Sequence, residues 1–263
     1  MKRILMLMMV ALVMFGVSGQ AMASFNDGDL LRVVYTGSGS GTEYITDLGN
    51  FSTLTSPITS NNTLAGTDTF SLASVGASSW ANVQIAYFIV NTAGNGGTGA
   101  VWTSGGTNGG NTNAGALASF TGAGALTYNS WQTNSAGANS LTESQASGVS
   151  YWTWLNNAQS GAPDIGGMAG YLKTPGSTAE ANLGNLATAG YVDQVLYYYG
   201  ATPDSGLRGT AVATIRTLLN GTGSTQLLAS AVPIPAAAYL FGSGLLGMFG
   251  LRRKMAAKDP ELG

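Results

Sequence analysis

The sequence predicts a mostly β protein: an antiparallel β-sandwich or jelly-roll-like ectodomain with one short helix and Gly/Asn/Ser/Thr-rich loops, plus an N-terminal signal helix and a C-terminal transmembrane helix. Three observations predict it. Short runs of β-branched and aromatic residues recur along the chain, clusters of glycine and other turn formers separate them, and an uncharged apolar stretch stands near each end.

At the start, Lys2 and Arg3 precede an apolar run from Ile4 to Val17, which gives way to Ala21, Met22 and Ala23. A positive start, a short apolar helix and small residues three and one positions before a cut are the parts a signal peptidase reads. Cleavage between Ala23 and Ser24 follows, with the signal peptidase and the Sec export machinery as partners. The alternative, a first transmembrane helix, has a shorter apolar run than it needs.

Leu30–Tyr35 and Tyr44–Phe51 read as two strands joined across the turn-rich run Gly37–Gly41, hence as a hairpin. Further strands are expected at Thr69–Leu72, Val83–Asn91, Gly99–Thr103, Val192–Tyr199, Ala211–Thr217 and Thr225–Ala229. In Val83–Asn91 the alternating Val83, Ile85, Tyr87 and Ile89 have partners that are not uniformly polar, which predicts a strand buried on both faces. Ser140 and Glu143 form a Ser-x-x-Glu capping box ahead of a stretch ending in Trp152–Leu155, which predicts the short helix. Between Thr92 and Ser140 the residues are mostly Gly, Asn, Thr, Ser and Ala, with isolated aromatics, and long loops around short strands are expected there.

The last element is the uncharged span Ala231–Leu251, about the 20 residues needed to cross a bilayer as a helix. Arg252, Arg253 and Lys254 follow at once and, by the positive-inside rule, stay in the cytoplasm. Gly242, Ser243, Gly244 and Gly247 keep one side of the helix small and suited to close approach by another membrane helix; the alternative is a permanent anchor and nothing more. Pro233 and Pro235 forbid helix just outside the membrane and hold an extended stretch that a membrane protease can reach.

The chain therefore divides into a signal peptide (1–23), a secreted β-rich ectodomain (24–231), a C-terminal sorting signal of motif, helix and basic cluster (232–254), and a short cytoplasmic tail (255–263). Within 24–231 four basic residues, Arg32, Lys173, Arg208 and Arg216, stand against ten acidic ones, a net charge of −6. Without clustered cations there is no footprint for a phosphate backbone, and nucleic acid is excluded as a partner. The chain has no Cys and no His, which removes zinc fingers, thiolate nucleophiles, His-ligated haem and every His-dependent catalytic triad. No disulfide can brace it, and its length is enough for a core of its own.

Candidate sites remain. Gly94, Gly96 and Gly99 match the spelling of a dinucleotide loop, but Ala100–Trp102 reads as strand where that motif requires a helix. Asn26, Asp27, Asp29 and Asp47 are hard oxygen donors suited to Ca²⁺ and equally ordinary turn residues. Glu43, Asp47, Glu143 and Asp193 are available as paired carboxylates, though no local sequence joins any two. Tyr197 and Tyr199 should share one face of their strand with Tyr198 on the other, and with Trp152 and Trp154 they offer rings for core packing or for stacking on a glycan. The Asn-x-Ser/Thr sequences at Asn50, Asn61 and Asn220 arise by chance in so Asn- and Thr-rich a chain. No catalytic, cofactor-binding or metal-binding residue is assigned, and no cofactor is expected.

Val232, Pro233, Ile234, Pro235 and Ala236, followed by the span from Tyr239 to Gly247 and then Arg252–Lys254, resemble the PEP-CTERM sorting tail, more narrowly its Val-Pro-x-Pro-Ala variant. Ile234 stands where the parent pattern has Glu, and Tyr239 where Trp is common. Gly28–Leu31 and Asp47–Gly49 are loosely similar to the start of many proteins that carry this tail. The resemblance implies a substrate of an exosortase-type membrane transpeptidase of Gram-negative bacteria. It implies a protein held in the inner membrane by its C-terminal helix with the ectodomain in the periplasm, cut near Val232–Ala236, then placed at the cell surface or in the matrix. A structural, non-enzymatic role in the exopolysaccharide or biofilm layer is the expectation that follows, with exopolysaccharide as a further partner. An extracellular carbohydrate-binding or carbohydrate-active β-sandwich protein is the alternative.

Overall fold

A computed structural model describes residues 25–36, 40–64 (62 and 63 by backbone alone), 69–91, 100–105, 128–152, 180–200, 209–219 and 223–229. The chain divides into two units, Met1–Ser230 and Ala231–Gly263, and all described residues belong to the first. Ten strands carry it: β1 (Asp29–Thr36), β2 (Thr42–Asn50), β3 (Asn62–Thr63), β4 (Val83–Asn91), β5 (Ala100–Gly105), β6 (Ser140–Ser144), β7 (Ala181–Asn182), β8 (Tyr191–Tyr198), β9 (Thr210–Leu219) and β10 (Gly223–Leu228). All pairings are antiparallel, and the strands form one sheet in the order β3-β10-β9-β8-β5-β4-β1-β2-β6, with β7 paired to β4.

The sheet curls on itself. Laid flat, β1 and β10 stand five strands apart, about 24 Å at about 4.8 Å per step. Yet Arg32 Nη1 of β1 donates to Thr225 Oγ1 of β10 at 3.2 Å, and the Tyr87 hydroxyl of β4 lies 2.8 Å from Thr217 Oγ1 and 3.0 Å from Thr225 Oγ1. Side-chain contact over that separation requires the two halves of the sheet to face one another. Arg32 is fully buried there, with its second amino group donating to Thr46 Oγ1 at 2.9 Å and its guanidinium 4.7 Å from the Phe70 ring centroid.

Strand alternation sorts the core into two clusters. Leu30, Val34, Ile85, Tyr87, Ile89 and Trp102 point into the curl, where Leu196, Ile215 and Leu227 meet them. Leu31, Val33, Tyr35, Ala86, Phe88 and Val90 point to the other face, under a cover formed by residues 128–152. β4 is therefore buried on both faces, as its sequence predicts, with Gln84 and Asn91 partly open.

Three sequence expectations need correction. Ser140–Ser144 is a strand, β6, paired with β2 from Thr42↔Ser144 to Thr46↔Ser140, and Ser140 caps no helix. Helix lies instead at 128–135, inside the stretch expected to be loops, and again at 151–152, while the other helical turns, Leu72–Val75, Trp80–Asn82, Leu183–Asn185 and Leu186–Ala189, are short. Helix 128–135 forms because Tyr128, Trp131 and Ser135 recur at helical spacing and bury one side on the sheet. Thr69–Leu72 makes only a single bridge, Phe70↔Gly223, before Ser71 and Ser74 cap each other into a 3₁₀ turn. The ten described strands belong to one continuous antiparallel sheet whose two halves face each other across the curl.

The Phe70 bridge makes a sharp demand on Gly223. Phe70 and Gly223 exchange N–H···O bonds of 3.2 and 2.7 Å, and a Cβ on Gly223 would lie 2.1 Å from the ring. That ring is held between the Arg32 guanidinium and Trp80, whose ring centroid is 5.8 Å away. Gly223→Val is expected to lower stability by about 2 kcal/mol through overpacking. Urea unfolding checks this, and an unchanged midpoint would contradict the close packing.

Candidate functional site

The residues assigned to export and sorting lie outside the described residues: Ala21, Ala23 and Ser24 at the leader cut, Val232–Ala236, Gly242, Ser243, Gly244 and Gly247, and Arg252–Lys254. Gly94, Gly96 and Gly99 lie outside them too, although Ala100–Trp102 is strand, the element that a dinucleotide loop cannot have there. Among the described residues no helix is long and apolar enough to cross a membrane.

The four oxygen donors near the chain's start converge at the open end of the β1–β2 hairpin. Its register sets Asp29 opposite Asn50 and Leu31 opposite Asp47, with a bulge between them. Asp47 accepts N–H bonds from Phe25 at 3.2 Å and Gly49 at 2.7 Å; Asp29 accepts from the Asn26 N–H at 2.6 Å and the Asn50 side-chain amide at 3.2 Å. Gly28 turns the chain with φ +89°, where a Cβ would meet the Ser52 side chain at 2.8 Å. Burial, aided by the neighbouring Asp47 charge, pushes the Asp29 carboxyl up to about 6. The carboxylates of Asp29 and Asp47 are spent on the chain's own turns, and among the described residues no group of three or more acidic side chains is placed to hold a metal.

A second acidic group lies under the cover. Glu43 of β2 is fully buried, and its two oxygens accept the backbone N–H groups of Tyr151 at 2.7 Å and Trp152 at 2.6 Å, the start of the helix there. The Tyr151 hydroxyl donates to Glu180 at 2.7 Å, and the Tyr35 ring packs 5.6 Å from Tyr151 and 5.9 Å from Trp152. Burial pushes Glu43 up to about 7; the two N–H donors oppose the shift, and Glu143 adds to it from the facing position of β6. Burial, and then the Glu180 charge, also raises the Tyr35 and Tyr151 phenols.

Glu43 and Glu143 are thus brought side by side, a pairing that nothing in the local sequence announces. The arrangement does not suit glycoside hydrolysis, which sets two carboxyls across a cleft. Glu43 is sealed from solvent and spends both oxygens on the cover's backbone, while Glu143 accepts from Asn134 at 3.4 Å. Asp193 forms a bidentate ion pair with Arg216, at 2.7 Å for each bond. Asp47 is committed to the hairpin corner.

The aromatic expectation divides. Tyr197 and Tyr199 do share a face opposite Tyr198, but both are buried, and the Tyr198 ring packs tilted against Trp102, with centroids 4.8 Å apart. Trp152 packs on Tyr35, and Trp154 lies outside the described residues. Among the described residues the exposed ring is Tyr191, which carries the Arg216 guanidinium 4.1 Å from its centroid. The sequence reading missed Glu180 and Tyr35 as partners of Glu43. Tyr35 stands directly opposite Glu43 in the β1–β2 hairpin, so its place follows from the register of that hairpin, whereas no spacing links Glu43 to Glu180, more than a hundred positions away.

Compared with family models, with curated proteins and with solved structures, the chain finds no match in any of the three.

Proposed function

We propose that the chain is an exported cell-surface or matrix protein of a Gram-negative bacterium, processed at a PEP-CTERM-like sorting signal and structural in the exopolysaccharide layer. One observation carries this reading: a Val-Pro-x-Pro-Ala motif at Val232–Ala236, an uncharged span to Leu251 and the cluster Arg252–Lys254 occur in that order without a gap. A signal peptidase removes residues 1–23, the C-terminal helix holds the ectodomain in the periplasm, and an exosortase-type transpeptidase cuts near the prolines. The curled antiparallel sheet serves as the sandwich-like, jelly-roll-type body left outside. Its net negative charge and lack of Cys and His fit a non-enzymatic role.

Mass spectrometry of the protein recovered from outside the cell tests the reading. The expected mature chain begins at Ser24 and lacks every peptide from 242–251. Recovery of the Gly242–Leu251 peptide from that fraction would overturn processing and leave a permanent anchor.

The alternative reading is an extracellular carbohydrate-binding or carbohydrate-active protein, whose enzymatic form the buried Glu43 beside Glu143 does not support.

A further inference from the structure

The cover is held to the sheet by different means along its length. Its helix at 128–135 is fixed by the Tyr128 hydroxyl, which bonds the Val90 N–H and the Asp29 carbonyl, each at 3.1 Å, and by the buried Trp131. β6 is fixed by its ladder with β2. Residues 145–152, which close the cover, belong to no strand and form a strap between two anchors on the sheet. At one anchor the Gln145 carboxamide accepts from the Gly41 N–H at 2.8 Å and donates to the Thr36 carbonyl at 2.7 Å. At the other, the Glu43 carboxyl takes the N–H groups of Tyr151 and Trp152, and the Tyr151 hydroxyl donates to Glu180. Between them the Trp131 indole donates to the Val149 carbonyl at 3.0 Å, a bond to the cover's own helix and not to the sheet. Ser150 bonds back within the strap, its N–H to the Ser147 carbonyl and its hydroxyl to the Gln145 carbonyl.

The second anchor is built of acids and phenols. Glu43 of β2 is faced by Glu143 from β6, Tyr35 from β1, Tyr151 from the strap and Glu180 from the segment before β7. Neither described arginine joins them: Arg32 packs on Phe70 within the curl, and Arg216 pairs with Asp193. With the strap closed, a charge on Glu43 would be sealed beside like charges, and burial accordingly pushes that carboxyl up to about 7. The Tyr35 hydroxyl is fully buried and has no hydrogen-bond partner among the described residues, so water admitted by opening would satisfy it. The closed strap thus stands on a proton and on ring packing, with a dry hydroxyl working against it.

We propose that residues 145–152 are a lid, held shut by the proton on Glu43 and released from the folded sheet when that proton leaves. Opening returns Glu43 to water, where it ionises near its ordinary value of 4.5, so rising pH favours the open lid until the closed form too has ionised. What the lid uncovers is aromatic: the Tyr35 ring, 5.6 Å from Tyr151, and the Phe88 ring, stacked on Tyr151 at 5.7 Å. The sheet beneath keeps its ladders and its filled curl, and so outlasts the opening.

Amide hydrogen exchange of the protein recovered from cells tests this, read on peptides from 145–152 and from β4 at pH 6, 7 and 8. Each rate is divided by that of an unstructured chain at the same pH. Protection of 145–152 is expected to lie roughly tenfold or more below that of β4 throughout, and to fall about tenfold from pH 6 to pH 8. Glu43→Gln keeps an acceptor but cannot ionise, and its lid should lose that pH dependence. Tyr151→Phe cuts the tie to Glu180 and should lower lid protection at every pH while leaving the fall intact, which decides the matter if the Glu43→Gln chain does not fold. Equal protection of lid and β4, lid protection that does not change with pH, an undiminished fall in Glu43→Gln or a lost fall in Tyr151→Phe overturns the proposal.

Discussion

Phe88→Ala is expected to lower the stability of the ectodomain by about 3–5 kcal/mol, the cost of emptying a buried aromatic site that cannot collapse. Phe88 is the ring on which the cover rests. It lies 6.2 Å from Tyr128, 6.3 Å from Trp131 and 5.7 Å, stacked, from Tyr151, so three rings from two separate segments meet one strand residue. Tyr128 is tied down as well: its hydroxyl bonds the Val90 N–H at 3.1 Å and the Asp29 carbonyl at 3.1 Å. Those hydrogen bonds keep the surrounding rings from closing over the gap. Phe88→Leu, which fills most of the volume, should cost about 1–2 kcal/mol. Equilibrium urea unfolding of the parent chain and the two variants measures both values, and equal midpoints for the parent and the Phe88→Ala variant would show that the cover does not depend on this ring.

The second large effect is a loss of stability as pH rises. Glu43 keeps its proton up to about pH 7 in the folded chain, while an exposed glutamate releases it near its ordinary value of 4.5. Below that ordinary value both states are protonated and the full stability is present. As pH rises from there through about 7 the unfolded chain gives up its proton first, so the folded state loses ground. A shift of this size corresponds to about 3 kcal/mol. Asp29, raised to about 6, acts in the same direction over a slightly lower window. The ectodomain is therefore expected to be more stable at pH 5 than at pH 8. Glu43→Gln retains an acceptor oxygen for the cover but cannot ionise, and it should flatten the profile at a uniform cost of about 1 kcal/mol. Thermal unfolding from pH 5 to pH 8 reads this directly; equal slopes for the two chains would refute the assignment to Glu43.

The strands were legible because their residues carry a local signal. Val83–Asn91 announces itself through β-branched and aromatic residues on both faces, and its bounds coincide with β4; β8 and β9 lie within two residues of their expected limits. β6 is different. It has one apolar residue, Leu141, which pairs with Ile45, and a single contact leaves no period to read. There the Ser-x-x-Glu spelling misleads, because Glu143 faces Glu43 across the strands and does not reach back to Ser140. The helix at 128–135 hides behind Asn, Ser and Thr, whose low propensity is overridden by two large rings docking on Phe88. The Asp29–Asp47 corner was partly legible, since hairpin register alone brings the two ends of β1 and β2 together. The union of Glu43, Tyr151 and Glu180 was not, because it depends on how the cover settles and not on any neighbour in sequence.

Among the described residues the two strands that end the sheet bear on how the fold resists association. β3 has two residues, and β6 has five, with Thr142 and Ser144 exposed. Borders so short and hydrophilic give a neighbouring molecule little template on which to add a strand, which guards against fibril growth. In a chain without disulfides the described sheet keeps both of its apolar faces turned inward, so its short borders are the part of it left to meet a neighbour.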